Sequence, residues 1–210
     1  MELTLIYTII GFGLAGYSVI ANDSIQTLGT FIASKQKWFK WYILASAASL
    51  VMIFAITWGW YSYDGDISYG RLTRIPFQEI QWYHAVAPAI LLALTRIGIP
   101  VSTTFLVLSA FASTVVLEKM LVKSIVGYGI AATVAYFCWI AVSKFINEKL
   151  DEVKGDKWIA FWRNSVWVSS GWLWWVWLSH DVANIAVYLP RQLDLSLLLI
   201  VLTYFTVLLF

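Results

Sequence analysis

Residues 82–117 read WYHAVAPAILLALTRIGIPVSTTFLVLSAFASTVVL, an apolar segment of 36 residues with a Gly-Ile-Pro step near its middle. One helical membrane crossing needs only about 20 apolar residues. Proline removes a backbone donor and disfavours helix in the preceding residue, so Pro100 is expected to separate two helices. The segment therefore predicts a helical hairpin with two half-length arms. The hairpin is either re-entrant or two short crossings, and in both cases the chain returns to the side from which it came.

The composition of the whole chain is typical of a membrane protein. Of its 210 residues, 60% are hydrophobic and 12% are charged, whereas soluble domains are about half apolar and one-quarter charged. A net charge of +2 without a basic stripe argues against nucleic-acid binding. The sequence has no phosphate-binding P-loop, nucleophile elbow or zinc spacing, so we do not expect an enzyme. The predicted fold class is an all-α integral membrane protein, a polytopic bundle with broken helices surrounded by membrane lipid.

Further apolar segments lie on both sides of the hairpin. A helix over residues 3–34 would be about 48 Å long, well beyond a hydrocarbon core of about 30 Å, so we predict a break at Asn22-Asp23. Normal spans are predicted over residues 41–61, 124–142 and 165–189, with a short charged turn over 118–123. The predicted organisation is a first repeat over residues 1–143, a charged amphipathic connector over 144–164, and the start of a second, incomplete repeat over 165–210.

The distribution of Lys and Arg predicts the orientation. With alternating crossings, eight basic residues lie on the side of the 35–40 loop and the connector, and five lie on the opposite side. Cytoplasmic loops are enriched in Lys and Arg. We therefore expect a multi-pass protein of the cell (inner) membrane with its amino terminus outside.

Two aspartates lie inside apolar segments, where each costs about 2.5–3.5 kcal/mol at the membrane centre. Each belongs to a polar-Asp-x-x-amide pattern, with the amide on the same helical face as the acid. The two patterns are 158 residues apart and form a candidate internal repeat. Such oxygen donors suit Na⁺ or a proton, and broken helices in repeated halves are typical of secondary transporters. The candidate cation-coupling residues are Asn22, Asp23, Gln26, His180, Asp181 and Asn184, with Asp23 and Asp181 as ligands of Na⁺. The alternative is that the acids pair with Arg96 or a lipid headgroup and serve only packing.

Three hydroxyl residues, Ser102, Thr103 and Thr104, follow Pro100 at the predicted start of a half-helix. Free amides at a helix N-terminus bind phosphate and other anions. The alternative is that these hydroxyls only cap or bond their own helix.

These motifs resemble the signatures of the inorganic phosphate transporter (PiT) family. Members carry a Gly-Ala-Asn-Asp-Val-Ala-Asn type motif in each of two inverted halves, and each half has a Pro-x-Ser-Thr-Thr re-entrant hairpin. The resemblance implies inverted repeats and symport of inorganic phosphate with a sodium ion or a proton, without a cofactor. Ser102, Thr103 and Thr104 would hold the phosphate, and the residues at the two aspartates would hold the cation.

This chain departs from the family pattern at four positions. Gln26 and His180 each replace an asparagine, Phe105 stands where a histidine commonly follows, and Val187 replaces a glycine. His180 beside Asp181 would favour proton coupling, because histidine titrates near neutral pH.

The position of the second aspartate motif indicates whether the sequence contains the whole of the second repeat. The first aspartate and its Ser-Thr-Thr are about 80 residues apart, so a second hairpin would fall near position 260, beyond Phe210. We therefore expect a divergent member with a carboxy-truncated sequence, and the alternative is a short protein that forms a homodimer. Two other functions are a non-transporting membrane scaffold or degenerate transporter homologue, and a redox protein with His84 and His180 as haem ligands.

Overall fold

The computed structural model describes residues 2–99, 101–146 and 156–210, and within these ranges it contains helices and irregular segments but no strand. The α-helices are α1 (Glu2–Lys35), α2 (Trp41–Ser62), α3 (Trp82–Arg96), α4 (Thr103–Leu108), α5 (Thr114–Ala141), α6 (Asp156–Asp181), α7 (Ala183–Ala186) and α8 (Leu195–Leu209). A 3₁₀ turn lies at Arg71–Arg74 and a π-helical turn at Val142–Ile146. The chain divides into two compact units, one of Met1–Ser113 with Ser170–Phe210 and the other of Thr114–Ser169.

Among the residues that the structure describes, three helical stretches are long and apolar enough to cross a membrane. They are α1 with 34 residues, α2 with 22, and the stretch Thr114–Lys144 with 31. The shorter α8 is also strongly apolar. These stretches support the membrane-protein class that the composition predicts.

The first helix differs from the expectation, because α1 runs without a break through Asn22 and Asp23. Its 34 residues measure about 51 Å, longer than the hydrocarbon core. The prediction assumed that this excess length must break the helix. Neither residue removes a backbone donor as proline does, and a long helix is accommodated by tilting. The broken helix predicted over residues 3–34 was therefore wrong.

The structure has a helix end before Pro100 and a helix start after it, although Pro100 itself lies outside the described ranges. The first arm α3 ends at Arg96, Gly98 adopts a positive φ of 77°, and α4 begins at Thr103. The second arm ends before residue 117, where the hairpin was predicted to end. It contains only the six residues of α4, and α5 already begins at Thr114. The charged turn predicted over 118–123 is instead part of α5. Glu and Lys are good helix formers, and the segment has no Gly, Pro, Asn or Asp to form a turn.

The structure also differs from the amphipathic connector predicted over residues 144–164. Its residues 147–155 lie outside the described part of the chain, and its last residues belong to α6, which continues past the predicted boundary at 165. The span predicted over residues 165–189 ends as one helix at Asp181, and the four-residue α7 follows. Of the basic loop predicted over residues 35–40, Lys35 is the last residue of α1 and the rest lies before α2. The Asp194 carboxylate caps α8 by accepting from the Leu197 amide at 2.8 Å.

The core of the larger unit forms where α1 packs against α3, α7 and α8, and where α8 also packs against α2. The buried indole of Trp174 on α6 donates to the Ala48 carbonyl of α2 at 3.1 Å. Gly16 lets α1 approach α8 closely, since a Cβ there would lie 2.6 Å from the Tyr204 ring. These contacts place the middle of α1 beside the α3–α4 hairpin and α7.

Polar contacts join the segment after α2 to the turn before α8. The Trp60 indole donates to the Leu193 carbonyl at 2.7 Å, and the Leu193 amide donates to the Gly65 carbonyl. Asp66 accepts from two backbone amides of its own turn, as expected for a turn rather than a metal site. Burial lowers the pKa of the nearby Arg191 guanidinium, and the Asp66 carboxylate opposes this shift.

The smaller unit contains α5, which has no buried side chain. A helix that is apolar on all sides and uncovered by protein is suited to contact with lipid.

Candidate functional site

The hairpin and the end of α6 bring hydroxyl, amide and carboxyl groups together. The Thr104 hydroxyl, at the start of α4, donates to Asp181 Oδ1 at 2.8 Å. Asn184 on α7 is completely buried, and its Nδ2 donates to Thr103 Oγ1 at 3.2 Å and to Thr104 Oγ1 at 3.3 Å. The same Nδ2 lies 3.3 Å from Asp181 Oδ1. Two of the sequence motifs, 77 to 81 residues apart, thus form one hydrogen-bonded cluster.

Helix α1 adds a second carboxyl to this cluster. Asp23 is 1% exposed, and Asn22 Nδ2 donates to its Oδ1 at 3.1 Å. The Asp23 carboxyl is close enough to the Asp181 carboxyl for an electrostatic interaction, and the Trp177 indole lies near it. We name the six residues Asn22, Asp23, Thr103, Thr104, Asp181 and Asn184 the acid–hydroxyl cluster.

The acid–hydroxyl cluster has unsatisfied oxygen atoms. Within the described ranges, Asp23 Oδ2 and Asn184 Oδ1 are buried without a well-aligned hydrogen-bond partner. Neither Asp23 nor Asp181 is paired with a Lys or Arg among those residues. Buried polar atoms are usually satisfied, and two adjacent carboxyl groups repel each other when both are ionised. The arrangement can therefore accept a cation or a proton.

The donor atoms indicate which cations fit. Carboxylate, amide and hydroxyl oxygens suit hard cations rather than transition metals. In the part of the chain that the structure describes, no three His, Cys, Asp or Glu side chains are grouped to hold a metal ion. The oxygen donors of the acid–hydroxyl cluster are therefore suited to a hard cation or to a proton.

Three of the predicted site residues lie apart from the cluster or have another role. The Ser102 hydroxyl accepts from the Phe105 amide at 3.2 Å and so caps α4. Gln26 is exposed, and the exposed His180 has its Nδ1 2.8 Å from the Val176 carbonyl of its own helix. With only six residues, α4 offers a weaker helix dipole to an anion than the predicted half-helix would.

Pro88 changes the hydrogen bonding of α3 near the acid–hydroxyl cluster. Because Pro88 has no N–H, the carbonyl of His84 lacks its usual helical donor, and the buried Tyr188 hydroxyl donates to it at 2.6 Å. The Pro88 carbonyl accepts from the Ser18 hydroxyl of α1 at 3.0 Å. The His84 ring stacks on Phe111 with centroids 4.2 Å apart.

Sequence reasoning missed the supporting residues Ser18, Trp177 and Tyr188. Trp177 could have been found, because Trp177, Asp181 and Asn184 follow the i, i+4, i+7 spacing of one helical face. Ser18 and Tyr188 leave no such local signal, since their partners are 70 and 104 residues away.

The two histidines of the haem alternative lie in different surroundings. His84 is buried, and its Nδ1 accepts from the Gln81 amide at 2.9 Å. The structure places His180 at an exposed position on α6 with Nδ1 directed to a carbonyl. The Nδ1 atom of each ring therefore has a partner within its own helical segment.

Comparison of the chain with protein-family models, curated proteins and solved structures finds no match. The function is therefore inferred from the acid–hydroxyl cluster itself. Its two adjacent buried carboxyl groups are the most informative feature.

Proposed function

We propose that this protein is a polytopic secondary transporter that carries inorganic phosphate across the membrane together with Na⁺ or H⁺. The observation that carries the proposal is the contact between the buried carboxyl groups of Asp23 and Asp181 in a membrane protein. Ionisable groups are expensive inside a membrane and occur mainly on ion pathways and proton relays. A purely structural pair would be expected to include a basic partner.

The cation would bind between the two carboxyl groups. Asp23 Oδ2 and Asn184 Oδ1 supply unsatisfied oxygens, and Thr103 and Thr104 add hydroxyl oxygens beside them. A Na⁺ ion or a proton there would remove the repulsion between the carboxylates. The free energy of cation binding would therefore include the relief of this repulsion.

Coupling to the anion would act through Thr104. Its only hydroxyl proton is donated to Asp181 in this structure. A cation or proton on Asp181 makes the carboxyl group a weaker acceptor, so the Thr104 hydroxyl becomes free to donate to a phosphate oxygen. Neutralised carboxylates also repel the incoming anion less. Cation binding and anion binding are then mutually favourable, as linkage requires.

The proposed setting is the cell (inner) membrane with the amino terminus outside, on the basis of the Lys and Arg distribution. The inverted-repeat architecture remains part of the proposal. Asp23 lies within the continuous helix α1, whereas Asp181 is the last residue of α6. The backbone conformation around the two motifs is therefore different.

Radiolabelled phosphate uptake into proteoliposomes tests the proposal. We expect uptake with an inward Na⁺ or H⁺ gradient, and loss of this coupling in both Asp23→Asn and Asp181→Asn. Asp64→Asn is the matched control, because it makes the same change at an exposed turn position. An absence of gradient-driven uptake by the unsubstituted protein would refute transport and favour the scaffold alternative. Competition by excess sulfate would show whether another oxyanion is accepted.

Thermal unfolding identifies the coupling ion independently of transport. Replacing K⁺ by Na⁺ at constant ionic strength should stabilise the unsubstituted protein by about 1.4 kcal/mol when Na⁺ is at ten times its Kd. Asp23→Asn should lose this increment. A Na⁺ effect that is equal in both proteins would place the ion elsewhere, and no Na⁺ effect in either would leave the proton as the coupling ion.

A further inference from the structure

A groove of about 420 Å³ lies between α1, α2 and the end of α8, away from the acid–hydroxyl cluster. Its lining begins at Tyr17 of α1 and reaches Gln36, the residue after that helix, and Leu44 and Ala45 of α2 contribute to its wall. The stretch from Tyr17 to Gln36 measures about 28 Å along a helix, close to the thickness of a hydrocarbon core. The groove is thus long enough for a hydrocarbon tail that lies along the membrane normal.

One end of the groove is polar and basic. Lys40 and Gln36 line this end, where α1 leads into the loop that precedes α2. Lys35 and Lys37 lie on the same short segment, so three positive charges are concentrated there. Trp41 also lines the groove, and tryptophan is typical of the membrane–water interface. The groove therefore has an apolar body and a cationic end, which is complementary to an anionic amphiphile.

The groove and the acid–hydroxyl cluster are on different faces of α1. The groove positions recur at intervals of three or four residues, as expected for one helical face. Asp23 lies about 140° around the helix axis from the centre of that face. Substitutions in the groove therefore leave the cluster residues in place.

We propose that this groove binds one anionic phospholipid, with an acyl tail along α1 and the phosphate group against Lys40. Burial of the tail supplies hydrophobic free energy in proportion to the apolar area covered. Lys40 adds the preference for a negatively charged headgroup, as basic residues beside a membrane do. The proposal is independent of the transported substrate.

Native mass spectrometry of the purified full chain in detergent tests this site, with dioleoyl phosphatidylglycerol and dioleoyl phosphatidylcholine as probes. The unsubstituted protein should retain one phosphatidylglycerol in preference to phosphatidylcholine. Ala45→Phe, which fills the groove, should abolish this retention, whereas Ser46→Phe on the exposed neighbouring position should preserve it. Thermal unfolding of each variant confirms that it is folded.

A second pair of variants tests the headgroup and does not alter the groove volume. Lys40→Gln should weaken phosphatidylglycerol retention about fivefold, the factor that corresponds to about 1 kcal/mol per lysine. Lys37→Gln removes a charge from the same loop but outside the groove lining, so it should have a smaller effect. Equal effects of the two lysine variants, or equal retention by the two phenylalanine variants, would overturn the proposal. Conversion of a dimer to a monomer by Ala45→Phe with unchanged lipid retention would show that a second copy of the chain occupies the groove.

Discussion

Substitution of Asp23 by asparagine should increase the stability of this protein, although Asp23 is almost completely buried. In the native cluster the Asp23 carboxyl lies against the Asp181 carboxyl, and its Oδ2 has no well-aligned partner among the described residues. Asparagine has nearly the same shape. Its Oδ1 can continue to accept from Asn22, and its Nδ2 can donate to the Asp181 carboxylate. When both carboxyl groups are ionised, the substitution replaces a contact between two acceptors by a hydrogen bond to a charged group.

The expected gain follows from that new hydrogen bond. A hydrogen bond to a charged group contributes about 1.5–3 kcal/mol. For a chain of 150–250 residues, each kcal/mol raises Tm by about 2–4 °C, so the expected increase is about 3–12 °C. A substitution at a buried polar position usually lowers stability. A rise in Tm would therefore support the new hydrogen bond, whereas a fall would match the usual effect.

Thermal unfolding in detergent, in K⁺ buffer at mildly alkaline pH, measures the effect under conditions where isolated carboxyl groups are ionised. Asp181→Asn should also stabilise the protein, because either amide can donate to the remaining carboxylate. The double variant should gain less than the sum of the single variants, since two residues in contact are not additive. Asp64→Asn serves as the control, with an expected change within about 0.5 kcal/mol for an exposed position.

A decrease in Tm for Asp23→Asn would refute this reasoning, because it would show that the carboxyl has a favourable partner that the amide cannot use. Full additivity of the two substitutions would show that the two carboxyl groups do not interact. Either result would also remove the main support for a cation site at the acid–hydroxyl cluster.

Two further predictions concern the packing around α1 and α3. Gly16→Ala should lower stability by about 1–3 kcal/mol through overpacking, since the new Cβ would lie 2.6 Å from the Tyr204 ring. Gly29→Ala, with open space around its Cβ, should gain up to about 1 kcal/mol from helix propensity; equal melting shifts for the two variants would contradict the close contact. Tyr188→Phe should cost about 1–3 kcal/mol in the same assay, because the buried carbonyl of His84 loses its donor. An unchanged Tm would show that this carbonyl has another donor.

Local patterns predicted much of the helical structure. The loop after Lys35, the start of α2 at Trp41 and the interruption around Gly98 were all predicted from apolar runs and from Gly and Pro. These features depend on residues close in sequence, and the interruption in particular follows from the lost donor of proline. The continuous α1 was not predicted, because bilayer thickness was given more weight than the helix's own hydrogen bonds.

The composition of the candidate site was only partly predictable. Asp23, Asp181 and Thr104 were identified as polar residues in apolar segments, which is a local property. The displacement of His180 from the cluster could not be predicted, because it depends on which face of α6 is turned toward α4. Adjacent positions on a helix point about 100° apart, so two neighbours in sequence need not share a site.

The sequence by itself determined that this is a helical membrane protein with two costly acids and a hydroxyl-rich hairpin. The apolar excess and the helix-breaking residues are sufficient for that conclusion, since each acts over a few residues. Only the tertiary structure decided that Asp23 meets Asp181, and that Asn184 bonds to Thr103 and Thr104. Contacts between residues 80 to 158 positions apart depend on how whole helices pack, and that packing is set by side-chain shape along their full length.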